Sequence, residues 1–506
     1  MVRDLLRKAF SFPVALGSIV VLWVFIGAGY SVWDADIWWH LRNAQYLFTH
    51  LKFPSTDMYS FTAAGHPWLN HEWLAEIPYY LAWRAAGIRG LYVLFLSLLV
   101  VIHLGIFYWA SKESRNLKGA FIVSCFAVFL PKVSFGPRTI LFGYIYLLLL
   151  LLILSRYRET GRAPLWLLPP LFCLWINTHG SWLLGLFLFA IYIGSGMVAG
   201  SWGRIEAVRW TPQQLRRLLV TAGASVVALF VNPFTYRLVY YPFDLMFRQK
   251  LNIQYVDEWA SVDFNDARGK VVLILLAVIL LGALLSPRRW RLEEVALGAF
   301  ALYAGLVHIR FLFLAAILLA PTLSKLLDFI PPYRPEIDKP PLNAVICAIV
   351  ILIMVSRFPT RADLAGAVAQ RYPANALDYV KAHGLTGNFF NRYMWGGYII
   401  LFHPELKTFI DGRTDIFEYT GVLKDYLDAE QLKGSLGILD KYRIRYVLTS
   451  PELPLSYLLS NTPGWKMIFR DQVAMIFERA SALPERPPVR TLPPEVGLNR
   501  SILSKP

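Results

Sequence analysis

A chain of 506 residues that is 56% hydrophobic and 15% aromatic is too apolar for an ordinary soluble fold and reads as an integral membrane protein with several spans. Its net charge of +16 does not indicate a nucleic-acid binder, because the basic residues fall in small groups between apolar runs instead of along one stripe. The cysteines, Cys125, Cys173 and Cys347, each lie inside an apolar run without a partner at metal-ligand spacing, so neither a disulfide framework nor a zinc site is implied.

Arg3, Arg7 and Lys8 precede the run FPVALGSIVVLWVFIGAGY, which is long for a signal peptide and reads as an uncleaved first span. Further candidate spans follow at 90–110, 119–131, 139–155, 164–177, 181–199, 217–231, 270–286, 292–307, 311–330 and 341–357, about 11 with the first at 12–30. Assigned alternately to two sides, the loops separate by charge. One set collects Lys112, Arg115 and Lys118; Arg156, Arg158 and Arg162; Arg204, Arg209, Arg216 and Arg217; Arg288, Arg289 and Arg291. The short loops of the other set hold little beyond Lys132, Arg138 and Arg310. By the positive-inside rule the first set faces the cytoplasm, and the loops 31–89 and 232–269 and everything after 358 lie outside.

The first outer loop carries helical periodicity. Ile37, Leu41, Ala44 and Leu47 recur after Asp34, and Trp73, Ile77, Tyr80 and Trp83 after Asn70-His71-Glu72, which predicts two amphipathic helices lying on the membrane surface. After residue 358 short helical patterns alternate with strand-like runs such as RYVLTS and VAMIFER, predicting a small α/β domain over 358–482 with a Pro-rich tail over 483–506. The fold class is therefore mainly α: a transmembrane domain over 1–357 with an α/β outer domain.

The unusual polar residues share the outer face. DADIWWHL and HPWLNHEWLAE lie in the first outer loop, GPR and NTHG in the next two, YVDEW in the fourth and VHIRF at the fifth. Carboxylates at the lipid boundary beside arginines suit a substrate that is half lipid and half anion, whose phosphate pairs with Arg while a carboxylate activates a hydroxyl. Each group also has a plainer reading. Asp34 and Asp36 suit a helix cap, Trp38 and Trp39 suit interfacial anchors or sugar-stacking platforms, and Arg138 and Arg310 suit snorkelling cations as well as donor-phosphate ligands. In the outer domain Asp411 and Arg413 read as an internal ion pair, and Gly396 and Gly397 as a place of close backbone approach.

Together these motifs, with WGGYIILFHPELKTFIDGRTDIF in the outer domain, resemble bacterial members of the GT-C glycosyltransferase superfamily, distant relatives of the protein mannosyltransferases and of the lipid A aminoarabinose transferase. The resemblance implies a membrane enzyme that moves a sugar from a polyprenyl-phosphate carrier to a lipid, glycan or protein acceptor outside the cytoplasmic membrane, with inversion. It implies a base in the first outer loop, matched by Asp34 first and Asp36 second, with Glu72 as a third acid. Asp34 and Asp36 are compatible with a divalent cation such as Mg or Mn without demanding one. On this reading Arg138 and Arg310 face the donor phosphate, and His40, His71, Asn177, His179, Asp257 and Glu258 line the substrate site. The competing expectation is a transporter or flippase for a lipid-linked or polar substrate, which should place ionisable groups near the bilayer midplane and show matched halves. Neither is evident here.

Overall fold

The computed structural model describes residues 7–130, 135–255 and 257–480. The Pro-rich tail beyond 482, Lys132 and the side chain of Asp257 lie outside the described residues.

The chain opens with α1 (Phe12–Ala28), which carries Pro13 in its first turn, where a missing N–H costs nothing. The first outer loop supplies α2 (Ile37–His50) and α3 (Trp73–Ala86), at the two places where the periodicity requires helices. The bundle continues with α4 (Ile88–Ser114), α5 (Leu117–Phe126), α6 (Ile140–Thr160), α7 (Leu168–Thr178), α8 (Trp182–Ser195) and, after β1 (Gly200–Trp202) and β2 (Ile205–Ala207), α9 (Pro212–Ala228). The fourth outer loop folds as α10 (Tyr236–Arg248) and the short α11 (Lys250–Tyr255). Then come α12 (Ala267–Leu285), β3 (Trp290–Arg291), α13 (Leu292–Val307), α14 (Leu312–Leu326) and α15 (Pro340–Ser356).

A helix thus lies at every expected span, but lengths differ. Segments 88–114, 140–160, 267–285 and 309–326 are long and apolar enough to cross a bilayer unaided. A further span arises if α15 and the helix after it, bent by 60° at their junction, count as one. The remaining helices are shorter: α1, for example, has 17 residues and α5 has 10. α12 is mostly exposed, as a lipid-facing helix would be.

Beyond α15 the chain forms α16 (Arg361–Ala369), α17 (Ala374–Ala382), β4 (Asn388–Asn391), α18 (Tyr393–Phe402), α19 (Thr414–Tyr419), α20 (Val422–Glu430), α21 (Ser435–Lys441), β5 (Ile444–Thr449), α22 (Pro454–Ser460), β6 (Trp465–Arg470) and β7 (Met475–Arg479). The strands make a sheet of order β4-β5-β7-β6, with β4 parallel to β5 and the other pairs antiparallel. A second, smaller sheet of β1, β2 and β3 lies between bundle helices.

Two apolar cores follow. One runs through the bundle helices. The other joins Trp39, Tyr59 and Trp68 of the first outer loop to Phe390, Phe409, Val447 and Phe477 of the α/β region. The first loop and the α/β region therefore share a core, reinforced by a bridge between Ser60 and Thr408. This corrects the expected role of the tryptophan pair. Trp38 is 1% exposed and sits among Trp83, Tyr372, Tyr398 and Phe402, while Trp39 packs edge-on to Trp68, so both are core residues and neither an interfacial anchor nor a stacking platform.

Candidate functional site

The DAD motif sits where α1, the start of α2, the approach to α6 and the α/β region meet. Asp36 stands at the cap position of α2, but neither aspartate caps it. Its backbone is helical there and no side-chain cap bond forms. Instead the Asp36 amide donates to Asp34 Oδ1 at 3.0 Å, and the Trp39 indole N–H donates to Asp36 Oδ1 at 2.9 Å. The other oxygen of Asp34 pairs with Arg138 Nε at 2.6 Å. Arg138 reaches Glu258 with its second nitrogen, so one guanidinium is shared by two carboxylates from loops more than a hundred residues apart. Burial lowers the Arg138 pKa, but the two carboxylates outweigh it and hold the value well above the ordinary one.

The α/β region closes over this cluster. Tyr372 donates its hydroxyl to the Asp34 carbonyl oxygen at 2.9 Å. A Cβ at Gly397 would lie 2.4 Å from the Ala35 carbonyl oxygen, and one at Gly412 would lie 1.8 Å from Asp36 Oδ1, so glycine is required at both by close approach to the DAD backbone and carboxylate. Under this cover Asp36 is pushed up to about 7, first by burial and then by the Asp34 charge.

A second cluster lies along α3. Three imidazoles surround Glu72: His40 Nε2 at 3.3 Å, His179 Nε2 at 3.4 Å and His71 Nε2 at 3.6 Å. The other nitrogen of His40 meets Glu76 Oε1 at 3.0 Å. Glu76, one helical turn after Glu72, also accepts from Asn43 at 3.1 Å and Asn70 at 2.8 Å and has no exposed surface. Burial opposes protonation of His40, yet hydrogen bonds to Glu72 and Glu76 overcome it and raise the ring to about 10, so it is an imidazolium at neutral pH. Burial likewise works against ionisation of Glu72, but His71, His40 and His179 together draw it far below the usual carboxylate range. His179 is lowered to about 4, chiefly by burial. The Ser181 amide donates to its Nδ1 at 2.9 Å, so the neutral ring presents Nε2–H to Glu72.

The remaining expected residues are placed as follows. Asn177 accepts from the Trp73 indole at 2.9 Å and donates to the Cys173 and Val231 carbonyls at 2.7 and 3.0 Å; it ties α3 to the bundle with its polar groups already engaged. Arg310 lies over the Trp259 ring at 4.2 Å and has no carboxylate partner among the described residues. Arg413 does pair with Asp411, at 2.8 and 2.7 Å, and it also reaches back to Asp57 of the first loop at 2.6 Å, which fastens the α/β region to that loop.

Several participants carried no signal in isolation. Asp415, which follows the DGR motif, accepts from the Tyr241 hydroxyl at 3.3 Å, and Tyr241 stacks on His71 at 4.3 Å, so one more carboxylate borders the Glu72 cluster. Glu418 accepts from the amides of Leu251 and Asn252 at 2.9 and 2.8 Å and fixes the fourth loop. Glu76 was the legible one: four residues after Glu72, it had to share a helix face with it.

The two aspartates expected to be compatible with a divalent cation have other partners in this structure. Asp34 is committed to Arg138 and the Asp36 amide, Asp36 to Trp39, and among the described residues no group of three or more His, Cys, Asp or Glu side chains is arranged to hold a metal.

No sequence-family model matches this chain, and no curated protein matches it. Solved structures do. The chain is similar to ArnT from Cupriavidus metallidurans bound to undecaprenyl phosphate, with a TM-score of 0.51 and 12% identity, over 94% of this chain and 99% of that one. It is similar to the Archaeoglobus fulgidus oligosaccharyltransferase in its apo form, with a TM-score of 0.51 and 12% identity, over 87% of this chain and 69% of that one. The chain thus shares its fold with these two proteins, and the resemblance carried by the motifs holds at the level of the fold.

Proposed function

We propose that this protein is an inverting glycosyltransferase that takes a sugar from a polyprenyl-phosphate donor and passes it to an acceptor on the outer face of the bacterial cytoplasmic membrane. The observation that carries this is the Asp34–Arg138–Glu258 cluster: an anion-binding cation and a carboxylate base held 2.6 Å apart at the mouth of α6, under a lid of close-packed glycines. The fold shared with two membrane transferases and the charge asymmetry of the loops support the donor class and the sidedness.

The acceptor hydroxyl attacks the anomeric carbon from the face opposite the phosphate and gives its proton to Asp34. The bond between that carbon and the phosphate oxygen breaks, and its electron pair leaves on the polyprenyl phosphate. Arg138 meets the phosphate by exchanging one of its carboxylate partners for it, which frees Asp34 as the donor arrives. Arg310, without a carboxylate among the described residues, supplies a second positive charge. Asp36, poised near neutrality, exchanges the proton that Asp34 receives. Glu72 with His40, His71 and His179 forms the adjoining wall, where the acceptor is oriented.

The test is transfer by the purified full chain in lipid, offered a panel of polyprenyl-phosphate sugars, with Asp34→Asn compared. Release of free polyprenyl phosphate from one donor, abolished in the folded variant, supports the reading and identifies the sugar. Movement of the donor across the bilayer without turnover, unaffected by Asp34→Asn, replaces the enzyme with a transporter.

A further inference from the structure

A broad concave feature lies far from the DAD cluster. α6 has 21 residues and starts two residues after Arg138, so its other end is about 30 Å away. There, between the end of α6, the start of α7 and the first turns of α9, is an open cavity of about 530 Å³. Its rim carries Arg162, Arg216 and Arg217, its wall includes Leu165 and Val220, and no carboxylate lines it. Trp166, 73% exposed, stands beside it, as an indole does at the boundary between headgroups and hydrocarbon.

Neighbouring cations at this end of the bundle behave differently. Arg158 pairs with Glu293, Arg288 with Asp328, Arg289 with Glu206 and Lys325 with Glu294. Among the described residues the three arginines of the cavity have no ion-pair partner. Topology alone requires basic residues in these loops, but it does not require three of them to converge without a carboxylate partner on one cavity with an apolar wall, where Arg217 has the Tyr157 hydroxyl beside it. α9 adds to the field: its N-terminus, capped by Thr211 and Gln214, points its positive end towards the same place.

We propose that this cavity holds the phosphate headgroup of an anionic membrane lipid in the leaflet opposite Asp34, with an acyl chain along Leu165 and Val220 and the phosphate among the three guanidinium groups. The chemistry is that of any phosphate monoester or diester, and the apolar wall together with the interfacial tryptophan selects the membrane lipid over free phosphate. The site is independent of the transferase reading and concerns how the bundle is seated in its bilayer.

The test uses the full chain in phosphatidylcholine nanodiscs doped with phosphatidylglycerol, with retained lipid counted by native mass spectrometry after transfer to detergent. Each guanidinium near an anionic surface contributes roughly fivefold, so Arg162→Gln/Arg216→Gln/Arg217→Gln should lower phosphatidylglycerol retention by on the order of a hundredfold. Phosphatidylcholine retention and thermal unfolding in pure phosphatidylcholine should not change. Equal retention of phosphatidylglycerol by both proteins overturns the proposal, and so does competition by millimolar inorganic phosphate as strong as that by the lipid. If the triple variant does not fold, Arg216→Gln and Arg217→Gln are read singly. Each should lose roughly fivefold, and no loss in either overturns the site.

Discussion

Two clusters built from similar ingredients stand at the same end of the bundle, and their difference separates an ion pair that can exchange partners from one that cannot. In the DAD cluster Arg138 lies between Asp34 and Glu258; in the α3 cluster protonated His40 lies between Glu72 and Glu76. On the outer side of the first cluster the Arg138 side chain keeps 28% of its surface exposed and Glu258 21%, with Asp34 at 7% behind them, whereas Glu76 keeps none and His40 4%. An ion pair that solvent and substrate can reach can trade partners when an anion arrives. One that is closed and fully hydrogen-bonded cannot, because any exchange leaves a buried charge unpaired. On the proposed reading the first cluster exchanges a partner during turnover, while the His40–Glu76 contact of the second holds α2 and α3 in register and leaves Glu72 facing the acceptor wall.

This contrast can be broken by mutation, and the largest effect falls on activity. Asp34→Asn should lower sugar transfer by about a thousandfold, the scale of a lost general base, while the thermal unfolding midpoint stays close to wild type. Glu76→Ala should do the reverse. It leaves His40 with one counter-ion and Asn43 and Asn70 short of an acceptor, which costs about 3–5 kcal/mol, read as a drop in unfolding temperature or failure to accumulate. A pH titration sharpens the point. His40 is raised from 6.5 to about 10, so its contribution to stability is complete below pH 6.5 and is lost as pH rises towards 10. Unfolding temperature should fall across that window, and His40→Gln should flatten the fall. On the other cluster, transfer should rise with pH through about 7 as Asp36 loses its proton, and Asp36→Asn should remove that limb from the profile. The smallest effect is expected from Gly412→Ala. Its methyl must displace Asp36 Oδ1, so transfer should drop roughly tenfold, the scale of slight misplacement of a catalytic group, with little change in unfolding temperature.

Most of the architecture was legible because its causes are local. Apolar runs make spans, a period of 3.6 placed α2 and α3, and alternation marked the α/β region. The site was legible only as a set of residues on one face. Reading the tryptophans of DADIWWHL as anchors failed because an indole near a membrane segment has the same sequence signature whether it meets headgroups or, as Trp38 does, the rings of Tyr372 and Tyr398. Reading the aspartates as caps failed for a related reason: the local pattern allows a cap, but Arg138, more than a hundred residues away, claims Asp34.

By itself, then, the sequence determined which segments are helical, which are strongly apolar and which polar residues crowd one boundary, since each follows from hydrophobicity and periodicity over a few turns. Only the tertiary structure decided which carboxylate meets which cation, and that Gly397 and Gly412 exist to let the α/β region touch the DAD motif. Pairing energy falls off within a few ångströms, and distances of that size between residues 34, 138, 258 and 412 are set by the packing of the whole chain.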